Sequence, residues 1–179
     1  MNAFWTDVAS GLISTVVGVG LGVPVGLWLN RRALRASEQS ADVDRRARVA
    51  ELLGVASDAV EHNAQMLRGH LQHLSNNRIA ISPAFHTATW EAISADVIRD
   101  VRQPALRHAL SFHFAAVSQW KELNDRYVDY AVGMLATTSM ADRMKETLKS
   151  ILVTRATESV EQADALLADI RRTIDAAKD

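Results

Sequence analysis

The chain has 179 residues, with 20 basic and 21 acidic side chains, a net charge of −1 and no cysteine. That charge balance argues against nucleic acid as a partner, which selects a strongly basic face. The lack of cysteine removes disulfides, zinc–thiolate sites and thiol nucleophiles. Of eight glycines, five stand at positions 11, 18, 20, 22 and 26, so the remainder of the chain is poor in turn residues. A few long helices, and not a sheet, are expected there.

Residues 1–7 end at Asp7, and residues 8–30 contain no charged side chain before Arg31 and Arg32. At ~1.5 Å per residue that run makes roughly 35 Å of helix, enough to cross a hydrocarbon core of ~30 Å with some tilt. It is read as a transmembrane helix. Small residues recur at every fourth position, Ser10, Ser14, Gly18, Gly22 and Gly26. Such a stripe lets two helices approach closely in lipid, which points to a homo-oligomer; the bland alternative is that Gly and Ser are simply common in spans. Pro24 removes one backbone donor and is expected to kink the helix near Gly20–Gly22. Trp5 and Trp28 fall at the two ends, where amphipathic rings favour the headgroup layer. Arg31, Arg32 and Arg35 follow the run and no basic residue precedes it. The positive-inside rule then places residues 1–7 outside and the bulk of the chain in the cytoplasm, on the inner membrane. A cleaved signal peptide has its basic residues before a shorter apolar core, so the segment is expected to remain as an anchor.

Residues 31–48 hold six Arg and three acidic residues but few apolar ones, which suits a charged helical stalk; a linker or a basic helix on anionic lipid are the other readings. Residues 49–179 are about one domain's worth of chain. From Val49 a stripe runs through Leu53, Ala56, Val60, Asn63, Leu67, His70 and Leu74 in steps of three and four, the mark of an amphipathic helix with coiled-coil spacing. It is expected to end at residues 75–78. Thr87 and Asp96 are candidate N-caps of two short helices, and Pro104 suits the first turn of a long one. The buried face of that long helix reads Leu106, Leu110, His113, Val117, Trp120, Asn124, Tyr127, Ala131 and Met134. Residues 136–139 make a turn, and Ser139 with Asp142 resembles a capping box for a last helix. That helix carries Met144, Leu148, Ile151, Val160, Ala163, Leu167, Ile170 and Ile174. The expected fold is all-α: an N-terminal transmembrane helix, then an antiparallel bundle of three long helices with a short helical elbow between the first two.

Little in the chain looks like catalytic or metal chemistry. His70 and His73 are spaced to share a metal, but no Glu-x-x-His pair accompanies them, so no metal site and no cofactor are expected. No phosphate loop, Gly-x-Ser-x-Gly elbow or His-Glu-x-x-His pair occurs, and no catalytic residue is assigned. Asn63, His70, His113 and Asn124 interrupt the two apolar stripes and form a candidate polar seam. Polar residues in such positions commonly fix register and partner state. The competing role is ligand binding or proton sensing, since histidine titrates near neutrality.

Three short motifs occur in order: Phe85-x-Thr87-x-x-Trp90, then Pro104-x-Leu106-x-x-x-Leu110, then Leu123–Asn124. The series resembles a loose group of prokaryotic single-span proteins with a glycine-rich N-terminal anchor and a helical domain, with Thr87 standing where that group carries an acidic cap. The resemblance implies an architecture and no activity. Physically, Phe85 and Trp90 are expected to act as an aromatic plug closing the open end of the bundle. The reading is a membrane-anchored helical scaffold or accessory subunit that self-associates through its span and binds an unidentified protein partner. The alternatives are a pore-forming effector assembled through the glycine stripe and a membrane-tethered ligand or pH sensor.

Overall fold

The computed structural model describes the backbone of residues 2–76, 78–79, 83–132 and 139–178, and the side chains of 28, 30–76, 78–79, 83–132 and 142–178. Four helices follow one another: α1 (Asn2–Ser75), α2 (Thr87–Asp100), α3 (Pro104–Ala131) and α4 (Ser139–Lys178). The described residues contain no strand. Two compact units divide the chain, Met1–Arg45 and Arg46–Asp179, and their boundary falls inside α1.

In the first unit the side chains from 30 to 41 are all exposed, and Arg45 pairs with Asp42 one turn earlier. Trp28 is exposed, and the Arg32 guanidinium lies 5.4 Å from its ring centroid, a cation–π contact one turn apart. Trp5, the stripe Ser10, Ser14, Gly18, Gly22 and Gly26, and the expected kink at Pro24 lie outside the residues whose side chains are described. Among the described residues no helix is long and apolar enough to cross a membrane.

The second unit is a helical bundle whose core has two storeys. In one, Leu53, Ala56 and Val60 of α1 meet Val97 of α2, Leu106, Leu110 and Phe114 of α3, and Ala163, Leu167 and Ile170 of α4. In the other, Leu67 and Leu74 of α1 meet Val117, Trp120 and Tyr127 of α3 and Leu152 and Ala156 of α4. Rising numbers in α1 therefore accompany rising numbers in α3 and falling numbers in α4. So α1 and α3 run in the same direction, where the sequence reading set them antiparallel. The cause is α2. It forms one continuous helix, with Asp96 inside it and not at a cap. Its ends are tied to α1 in reverse order: the His86 amide donates to Asn63 (2.8 Å), and Asp100 meets Arg48 (3.4 Å). The expected elbow is thus a full return stroke, and the topology is up-down-up-down.

Local chemistry explains the corners. α1 stops at Ser75, where Ser and Asn take over from helix formers. Val101 and Gln103 are extended, as the residue before Pro104 must be, and Pro104 opens α3 with its missing donor unneeded. The stripes of α1 and α3 are buried from Leu53 to Leu74 and from Leu106 to Tyr127; Val49 and Ala131 are half-buried, and Met134 lies outside the described residues. In α4 the first half departs from expectation: Met144 and Ile151 are exposed, and the buried line is Leu152, Ala156, Ser159 and Ala163. The sequence there offers apolar residues on two adjacent faces, and packing against Trp120 selects the face of Leu152.

Candidate functional site

The four seam residues are all buried: Asn63 and Asn124 at 0% and 1% exposure, His70 at 7% and His113 at 2%. Their partners differ. Asn63 Oδ1 accepts the His86 amide and so fastens the connector before α2 to α1, while its Nδ2 has no partner among the described residues. His70 presents an edge to the Trp120 indole, with centroids 5.2 Å apart and planes at 78°, and its Nδ1 is unpaired. His113 packs edge-on to Phe114 of its own helix at 5.3 Å, and neither ring nitrogen finds a partner. The hydrogen bonds expected across the seam therefore do not form at the nitrogens of His113 or at His70 Nδ1.

Burial without a partner penalises the imidazolium. It pushes His113 down to about 4 from its ordinary 6.5, and it lowers His70 too, with the charge of His73 adding to the effect. Both rings are thus neutral aromatic plates in the core at neutral pH. His70 and His73 lie 6.4 Å apart between centroids. Among the described residues no group of three or more His, Cys, Asp or Glu is placed to hold a metal ion.

Phe85 and Trp90 serve different storeys. Phe85 meets Trp120 edge-on at 5.7 Å, whereas Trp90 stacks flat on Phe114 at 5.1 Å. Phe85 comes from the connector before α2 and Trp90 from α2 itself, and they do not form one plug. Arg31, Arg32 and Arg35 are exposed on α1.

Three features go beyond the sequence reading, the first being a hydrogen bond made by a tryptophan already expected in the core. Trp120 is 1% exposed and donates its Nε1–H to the Leu152 carbonyl at 3.0 Å, bonding α3 to α4 through the core. His62 and His86 stack at 3.9 Å with planes 16° apart, and the His62 ring nitrogen lies 3.1 Å from the Ala84 carbonyl. The third is a groove on the outer side of α3 and α4, edged by exposed Phe112 and Ile151. Its signal was present as a second three-and-four spacing displaced from the buried one.

Comparison of the chain with protein-family models, with curated proteins and with solved structures finds no match in any of the three.

Proposed function

We propose that this protein is a single-span, membrane-anchored helical scaffold or accessory subunit. Residues 8–30 cross the inner membrane, and the four-helix bundle stands in the cytoplasm, where it binds a protein partner. The observation that carries this reading is the uncharged run from 8 to 30, closed by Asp7 on one side and by Arg31, Arg32 and Arg35 on the other. The exposed Trp28 beneath Arg32 supports it, since an aromatic ring beside a basic residue suits the headgroup layer. The bundle supports a binding role and not a chemical one. Its buried polar side chains, Asn63, His70, His113, Asn124 and Ser159, are uncharged at neutral pH, with burial lowering both imidazoles from their ordinary value.

Anchoring is tested by carbonate extraction of the full chain and of a variant lacking residues 1–30. The full chain is expected in the pellet and the truncated chain in the supernatant as a helical protein. Retention of the truncation on membranes would sink the assignment of the anchor to 8–30. Self-association through the span is tested with Gly18→Leu and Gly22→Leu, which are expected to weaken it without blocking insertion, because added side chains hold the backbones apart. Gly20→Leu, off the stripe, is the control. Equal loss at all three positions, or loss at none, removes the packing face.

A further inference from the structure

The outer seam of α3 and α4 has the marks of a surface that fits a copy of itself. Along α4, Met144, Leu148, Ile151, Arg155, Glu158 and Gln162 recur in alternating steps of four and three, one residue away from the line that fills the core. Along α3, Phe112, Ala116, Gln119 and Leu123 repeat the same spacing. The two rows bound a groove of about 250 Å³. That is below the ~300–1,000 Å³ usual for small-molecule sites, and matching heptad rows are instead what helices offer to other helices. Phe112 is 51% exposed and Ile151 40%, so the groove has an apolar anchor towards each end.

The charges between those anchors say what kind of partner fits. Arg155 and Glu158 both line the groove, one turn apart on α4, and neither carries an ion pair among the described residues. A basic residue N-terminal to an acidic one is the less favourable order within a helix, which leaves both groups available to an outside partner. Heights along the bundle then decide the geometry. Trp120 bonds to Leu152, and Thr173 donates to Gln103, so Leu123 stands level with Ile151 and Phe112 level with Gln162. A second copy turned by a twofold axis passing between Arg155 and Glu158 sets each Arg155 opposite the other copy's Glu158. The same rotation brings each Phe112 onto the Leu123–Ile151 end of the other groove. The charges and the apolar anchors of the groove thus complement themselves, as an isologous interface requires.

We propose that the α3–α4 face, with Arg155 and Glu158 at its centre and Phe112 and Ile151 as its apolar anchors, is a twofold interface with a second copy of this chain. It is separate from any contact made by the span and does not depend on the membrane.

The test uses the full chain in mild detergent and exploits the absence of native cysteine. Gln119→Cys lies beside the twofold axis, and a short thiol-specific bifunctional linker is expected to capture it as a covalent dimer; Glu91→Cys on α2 is expected to give at least tenfold less. In the Gln119→Cys background, Arg155→Glu and Glu158→Arg are each expected to reduce capture about tenfold, by opposing like charges at both symmetry-related pairs. Mixing the two single variants, or combining both changes in one chain, is expected to restore it, because opposite charges then face each other again. Restoration also shows that the reversals leave the bundle folded. Capture that ignores charge reversal, loss that mixing does not restore, or equal capture at Glu91→Cys overturns the proposal. Because the readout needs no bilayer, its failure is distinct from a failure of the anchoring assay.

Discussion

His113 shows how one buried ring writes a pH dependence into the fold. Its ordinary value is 6.5, and burial lowers it to about 4. Above 6.5 the ring is neutral folded or unfolded, and its contribution to stability is fully present. Between 6.5 and about 4 the unfolded chain takes up a proton that the folded chain refuses, so stability falls as pH falls, by on the order of 3 kcal/mol across the window. His70 adds to the slope in the same direction, since its value is lowered as well. Urea unfolding at pH 7, 5.5 and 4.5 is expected to show this loss, and His113→Leu is expected to flatten part of it. At pH 7 that variant is expected to match or exceed the native chain in stability, because it removes two unpaired buried nitrogens. A native chain whose stability is unchanged down to pH 4.5 would contradict the burial of a neutral ring. No sensing transition near neutrality is expected from His113, because its ring does not charge there while folded.

Helix by helix, the bundle depends on side chains that cross between elements. Trp120 reaches from α3 to the Leu152 carbonyl on α4 and also carries the rings of His70 and Phe85. Trp120→Phe keeps an aromatic plate but gives up the hydrogen bond and part of the volume, and a loss of about 1–3 kcal/mol is expected in chemical denaturation. The opposite sign is expected in α1. Gly54 and Gly69 lie inside that helix, and a Cβ built on either meets nothing within 4 Å. Alanine there restricts the unfolded chain and clashes with nothing, so each substitution is expected to stabilise the fold by about 0.5–1 kcal/mol. Destabilisation by either would mean that the helix passes closer to a neighbour than this geometry allows.

The stripes of α1 and α3 were legible in the sequence because each carries a long apolar run at helical spacing that outweighs any neighbouring row, from Leu53 to Leu74 and from Leu106 to Tyr127. In α4 the alphabet was ambiguous: Met144, Leu148 and Ile151 compete with Leu152 one residue away, and only the position of Trp120 decides between them. Direction was not legible at all. Residues 76–86 hold loop formers, Asn76, Asn77 and Ser82–Pro83, but nothing that sets the direction of the next helix, and the two tethers that fix α2 against α1, Asn63 to His86 and Arg48 to Asp100, join residues far apart in the chain. The seam could be read as polar letters at core positions. That His113 pairs with nothing, and that Phe85 and Trp90 part company, depends on neighbours no spacing rule supplies.

At the scale of the whole molecule, the length of α2 sets up an asymmetry. Its 14 residues cover one storey only, so Leu53, Leu110 and Ile170 lie among four helices, whereas Leu74, Tyr127 and Leu152 lie among three. Fewer helices bury less apolar surface around each residue, and local opening draws on the less covered end first. The bundle is therefore expected to breathe as two cooperative segments and not as one. Hydrogen–deuterium exchange along α4 would read this directly. Amides from 144 to 156 are expected to exchange through partial openings, while those from 163 to 174 wait for global unfolding; uniform protection along the helix would mean that the two storeys melt together. The return stroke that reverses the chain thereby divides the domain into a rigid half and a pliant half, and the pliant half includes the Leu123–Ile151 end of the outer groove.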